Sequence, residues 1–107
     1  MTPSSPYQDK PWLAHYDEGV PEFVNYEETC LPDFLERSAQ NFPNNMALLF
    51  QGYSVTYREL KQMVDRFAAC LAEFGVQKGD SVAILLPNVI PCVVGYYAIL
   101  KIGATAV

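Results

Sequence analysis

The 107-residue sequence is short of the residues that most active sites are built from. It has one histidine, His15, and three cysteines, Cys30, Cys70 and Cys92. The cysteines are odd in number and far apart, and no CxxC pair exists, so neither a zinc site nor a thioredoxin-type redox pair is indicated. Each lies among apolar neighbours, which predicts buried, reduced thiols in a cytoplasmic protein. Lys and Arg number seven against twelve Asp and Glu, giving a net charge of −5. With no basic stripe, nucleic-acid binding is excluded as a main role. The N-terminus has no basic region followed by an apolar run, so no secretion signal is visible. The longest apolar stretch, Val89 to Leu100, falls short of the roughly 20 residues that span a bilayer.

What the sequence does have is an ordinary globular composition, half hydrophobic and about a fifth charged. A chain of this size buries roughly two-thirds of its unfolded surface. Residues 1–28 are rich in Pro, Tyr and acidic side chains and show no period. Pro3, Pro6, Pro11 and Pro21 each forbid a regular helix interior. This segment is read as an extended leader, with Trp12, Leu13, Tyr16, Phe23 and Val24 as anchors and its first ten residues as candidates for disorder.

From Thr29 the pattern turns helical. Thr29 is the expected cap, Pro32 suits the first turn, and Leu31, Phe34, Leu35, Ser38 and Phe42 share a face. Pro43 ends the helix. Met46 to Phe50 and Tyr53 to Val55, separated by Gln51-Gly52, read as a β-hairpin. Thr56 and Glu59 then form an S/T-x-x-E capping box. Leu60, Met63, Val64, Phe67, Ala68 and Leu71 mark one apolar helix face, and Gly75 supplies the left-handed stop.

Lys78-Gly79-Asp80 turns the chain into a strand, Ser81 to Leu86. Its unbroken apolar run predicts coverage on both faces, as in a parallel sheet. Asn88 is the expected cap of a last helix, Val89 to Ile102, which is apolar nearly all round. Gly95 would permit a close backbone approach there, and Gly103 ends it. A second strand opens at Thr105. The order is helix, hairpin, helix, strand, helix, strand, an α/β arrangement with an incomplete parallel sheet. The unfinished unit leads to the expectation of a larger α/β enzyme of which this is the front end.

The candidates for chemistry are few. His15 has no Ser, Cys or metal partner at useful spacing. Asp17-Glu18 and Glu27-Glu28 are adjacent acids on irregular chain and read as solvated charge. Gly75 and Gly79 precede a strand, whereas a dinucleotide fingerprint must follow one. The strand-to-helix junction Leu86-Pro87-Asn88-Val89 has no glycine and carries a proline. No catalytic, cofactor-binding or metal-binding residue is assigned.

Three stretches nonetheless carry a family likeness. VTYREL (Val55 to Leu60), FGVQKGDSVAILLPN (Phe74 to Asn88) and AILKIGATAV (Ala98 to Val107) resemble, in that order, the opening of the AMP-forming acyl-CoA synthetases. The likeness covers residues 29–107. A looser one, Pro11-Trp12, Tyr16 and Gly19 to Pro21, is similar to the entry segment of bacterial long-chain fatty acid–CoA ligases.

The resemblance implies residues 29–107 as the start of an N-terminal α/β subdomain, and a parent enzyme that uses ATP, Mg and CoA on a fatty acid substrate. It is compatible with peripheral membrane association of that enzyme. Its phosphate-binding loop, metal-binding Glu, ribose-binding Asp and mobile-domain Lys have no counterpart in these residues. The piece alone is therefore expected to be inactive, to bind no cofactor and to self-associate through exposed apolar surface. Two alternatives stay open: a parent acting on an aryl, short-chain or amino acid, and a stand-alone interaction module without catalysis. Within the matched stretches Thr56, Glu59, Gly79, Asp80, Asn88 and Gly103 have structural explanations, and Lys101 is expected to complement the carboxyl end of its own helix.

Overall fold

The computed structural model describes residues 5–107. Thr56 starts the most regular part of the fold. Its Oγ1 accepts from the Glu59 amide at 3.2 Å, while Glu59 Oε2 accepts from the Thr56 amide at 3.4 Å. Two amide donors that a helix leaves orphaned are thereby satisfied, and α3 runs Tyr57–Glu73. Leu60, Val64 and Ala68 of its apolar face are buried, whereas Met63 and Phe67 at the margins stay partly exposed.

Upstream, α1 (Pro6–Asp9) and a 3-10 turn (Pro11–His15) come before α2 (Leu31–Asn41), β1 (Met46–Phe50) and β2 (Tyr53–Thr56). Strands β1 and β2 pair antiparallel, with Phe50 opposite Tyr53. Gln51 and Gly52 both adopt positive φ, 45° and 84°. That is the mirror-image turn whose twist matches a two-residue hairpin. Downstream, β3 (Ser81–Val82), α4 (Ile90–Lys101) and β4 (Thr105–Ala106) complete the chain. β3 and β4 are parallel, with Ser81 opposite Thr105 and Val82 opposite Ala106. The strand–helix–strand unit is formed as expected.

Among the described residues, Leu35, Val55, Leu60, Val64, Ala68 and Ala98, drawn from α2, β2, α3 and α4, form a buried core cluster. α4 packs on α2 and α3 and also against β4, which accounts for its nearly uniform apolar surface. Ala98 and Ile99 are fully buried within it. Gly95 is buried too, and the Phe67 ring covers it.

Several expectations need correction. The leader is not simply extended, because its prolines fall where helices tolerate them. Pro6 and Pro11 occupy first-turn positions, and Ser5 and Gln8 form a capping box, so a missing amide costs nothing there. Of the residues considered for disorder, Ser5 to Lys10 are thus ordered into a turn, and the first four lie outside the described residues. The expected anchors Trp12, Tyr16, Phe23 and Val24 remain exposed, and Leu13 is half-buried. Instead, Lys10 holds the segment by pairing with Glu22 at 2.7 Å and lying over the Phe23 ring. The leader stands off the core, and the radius of gyration is 19.6 Å against about 13 Å for a compact chain of this length.

Two caps shift by one residue. Cys30, not Thr29, is the N-cap of α2. Asp33 Oδ2 accepts from the Cys30 amide and from Thr29 Oγ1, both at 3.2 Å. Val89, not Asn88, is the N-cap of α4, with Pro91 in the first turn. The strand expected from Ser81 to Leu86 has ladder pairing only at Ser81–Val82, because β4 is equally short. Ile84 still donates its amide to the Val107 carbonyl at 2.9 Å. Beyond it nothing covers the apolar run, and Leu85 is 97% exposed.

Candidate functional site

A catalytic site requires polar groups converging on one point, and the β3–α4 junction is where an α/β fold would place them. Pro87 has no amide to offer there. The Val89 amide donates to the Pro87 carbonyl at 2.8 Å, and the Cys92 amide to the Val89 carbonyl at 3.0 Å. Asn88 provides no cap to the helix. These residues do not form a cradle for phosphate. Among the described residues no group of three or more His, Cys, Asp and Glu is placed to hold a metal ion. Among the described residues, the side chains around this junction do not fit a nucleotide–metal site.

The other candidates are dispersed. His15 is exposed at the end of the 3-10 turn. Cys30 and Cys70 are exposed and Cys92 half-buried, all as free thiols. The expectation of buried thiols is thus corrected: Cys30 sits on a cap and Cys70 on the outer face of α3, so apolar neighbours in sequence did not become neighbours in space. Acidic charge concentrates in the leader. Residues 1–28 hold six acids and only Lys10, whereas residues 29–107 balance six of each sign. Glu27 there binds Arg37 of α2 at 2.8 Å. This bond and the nearby guanidinium hold the Glu27 carboxyl below its ordinary value and raise Arg37.

A dense polar constellation joins three helices. Lys101 Nζ lies 2.9 Å from Glu36 and hydrogen-bonds Asp65, and Lys61 Nζ lies 2.6 Å from Asp65 and 3.5 Å from Glu36. Partial desolvation pushes the Asp65 carboxyl up, but hydrogen bonds from Lys101 and Lys61 outweigh it and leave the group lowered. Lys61 and Lys101 are raised, chiefly by their hydrogen bonds to Asp65. Lys101 thus serves neighbouring helices rather than only the end of its own. Nothing in the sequence could signal this, since its partners stand 65 and 36 residues away.

Two further features are apolar. A groove of about 340 Å³ runs between Phe67, the Val82 to Leu86 strand and the Pro91 to Ile99 face of α4. A smaller one, about 210 Å³, separates the β1 end from the start of α4. Neither presents a charged group. No helix among the described residues is long and apolar enough to cross a membrane.

Comparison with known proteins places this folded layer in a family. The family described as "AMP-binding enzyme" matches residues 35–107. This chain belongs to the AMP-binding enzyme family. It is 37% identical over 98 residues to a long-chain-fatty-acid–CoA ligase of Bacillus subtilis, covering 92% of this chain and 18% of that protein. Among solved structures, the Klebsiella oxytoca NpsA N-terminal subdomain in complex with 3-hydroxyanthranilyl-AMSN superposes with TM-score 0.74 at 35% identity. The match covers 77% of this chain and 21% of that one. The O-succinylbenzoate coenzyme A synthetase MenE of Bacillus subtilis, in complex with AMP, gives 0.66 at 37% identity, over 68% of this chain and 19% of that one. The chain spans about a fifth of the length of these relatives. As an AMP-binding enzyme segment, it contributes an α/β layer of the adenylate-forming fold.

Proposed function

We propose that this AMP-binding enzyme segment, in which residues 29–107 begin the N-terminal α/β subdomain behind a leader of 1–28, belongs to a fatty acid–CoA ligase. One observation carries the reading: the 98-residue alignment with the Bacillus subtilis ligase. It is longer than residues 29–107 and therefore takes in part of the leader as well. In the reaction, a fatty carboxylate oxygen attacks the α-phosphorus of ATP, and the bond to pyrophosphate breaks. The thiolate of coenzyme A then attacks the acyl carbon, forming a thioester and expelling AMP. Charge developing on the phosphates calls for preorganised donors and a metal ion, Mg in this reading, which residues outside this chain would supply. The free thiols, two of them exposed, suit the reducing cytoplasm. Peripheral contact with a membrane would bring such an enzyme to its substrate.

A second substrate reading is favoured by a specific observation. One solved relative carries 3-hydroxyanthranilyl-AMSN and another is an O-succinylbenzoate coenzyme A synthetase, which supports an aryl acid in place of a fatty acid. ATP–pyrophosphate exchange separates these readings when the product of the whole reading frame is offered fatty, aryl and amino acids in turn. Exchange driven by fatty acid is the expected result, and exchange driven only by another acid moves the substrate class. The 107-residue chain assayed alone should give none. Robust exchange by it would overturn the assignment of the catalytic groups elsewhere, and no exchange by the whole product would favour an interaction module.

A further inference from the structure

Four side chains of alternating charge meet where α2, α3 and α4 converge: Glu36, Lys61, Asp65 and Lys101. Each ammonium contacts both carboxylates, so the ring is neutral as a whole. All four side chains are only about a third exposed, from 32% to 36%. Isolated surface ion pairs contribute little, and shared, partly desolvated networks are the exception.

The ring's position matters more than its strength. Lys101 is the last residue of α4, and the chain turns immediately after it into β4. The Gly103 carbonyl accepts from the Gly79 amide at 3.1 Å. The Thr105 amide donates to the Asp80 carbonyl at 2.8 Å, and the Val107 amide to the Val82 carbonyl at 2.9 Å. Whatever holds the end of α4 therefore also positions β4 beside β3.

We propose that Glu36, Lys61, Asp65 and Lys101 form an acid-released clasp that holds the end of α4 on α2 and α3 and thereby fixes the β3–β4 pair. Among the described residues, the charges acting on Lys61, Asp65 and Lys101 all come from within the ring. On α2, Asp33 is engaged with Thr29 and Cys30 and Arg37 with Glu27; on α3, Glu59 is engaged with Thr56. Once both carboxylates are protonated, two ammonium groups are left facing each other without a counter-charge, and the ring changes from attractive to repulsive. Asp65 is lowered in the folded chain. Its contribution is therefore complete above the ordinary carboxylate value and is lost as pH falls through the lowered one. Lys61 and Lys101 are raised. Their contribution is complete below the ordinary lysine value and is lost only as pH rises through the raised ones.

Amide hydrogen exchange on the full chain tests the clasp, since local opening is read residue by residue. On acidification, the protection factors of the Gly79, Thr105 and Val107 amides should fall several-fold while those of Val64 and Ala68 within α3 hold. Lys101→Met keeps the aliphatic packing and removes the shared cation, so its bridging amides should be weakly protected at both pH values. Asp65→Asn is a second route: at neutral pH it should already lower protection at the same three amides. The clasp is refuted if α3 and bridging amides lose protection together. It is equally refuted if Lys101→Met keeps the wild-type acid step, or if Asp65→Asn leaves the bridging amides unchanged.

Discussion

The Phe67 ring lies across Gly95, its Cε1 3.8 Å from where a side chain at that position would begin. That distance is ordinary van der Waals contact, and Gly95 sits in the interior of α4 with helical backbone. The structure thus has room for one methyl group at a residue that weakens its helix. Gly95→Ala should stabilise the fold by about 0.5–1 kcal/mol, the gain in helix propensity. Gly103→Ala should do the reverse, because φ is +80° there and the Lys78 Cγ would stand at 3.0 Å. Urea denaturation of the two variants checks both signs, and a loss of stability in Gly95→Ala would mean that Phe67 cannot yield.

Thr56 carries the cap of the longest helix. Thr56→Ala removes the acceptor for the Glu59 amide and should cost about 1 kcal/mol, whereas Thr56→Ser should retain most of the stability. Equal losses in the two variants would show that the methyl group, not the hydroxyl, is what the site uses.

Glu27 and Arg37 join the leader to α2. The Arg37 hydrogen bond and charge lower the Glu27 carboxyl, so this tie is complete above the ordinary glutamate value and is lost as pH falls through the lowered one. Titration of the Glu27 side chain by NMR should show the depression, and Arg37→Met should return it to the ordinary range. An unchanged titration in that variant would assign the shift to something else.

How much of this could be read from the sequence depends on the range of the interaction. The Thr56–Glu59 box, the Gln51-Gly52 hairpin and the Gly75 and Gly103 helix ends are local patterns, and each formed where the residues indicated. The caps of α2 and α4 missed by one residue because Thr29 and Asn88 were better cappers than the residues that took the position, and the prolines at 32 and 91 set the first turns. The exposed Leu85 and Leu86 were invisible for a different reason. An apolar strand is buried only where other layers exist, and hydrophobicity alone does not supply them. The leader's aromatic side chains failed as anchors on the same ground. The ring around Lys101 depends on contacts 36 and 65 residues apart, which no local period encodes. Of a catalytic site no motif was legible in the sequence.

Leu85 and the neighbouring groove lead to a prediction about association. A strand with free backbone beyond Ile84, flanked by exposed leucines, can pair with the same edge of a second copy. The chain should self-associate as its concentration rises, and Leu85→Lys should shift the equilibrium towards monomer. Sedimentation equilibrium reads this directly. A monodisperse monomer at high concentration with no hydrophobic-dye binding would count against it.

Trp12 is the sole tryptophan, and it stands in the leader, 40% exposed, with Tyr7 as its aromatic neighbour at 6.4 Å between ring centres. The intrinsic fluorophore of this molecule is therefore attached to the segment that contributes least to the core. Emission excited at tryptophan wavelengths will follow the Lys10–Glu22 brace coming loose, while melting of the three helices will register in far-ultraviolet dichroism. The two signals separate leader from core without any added label.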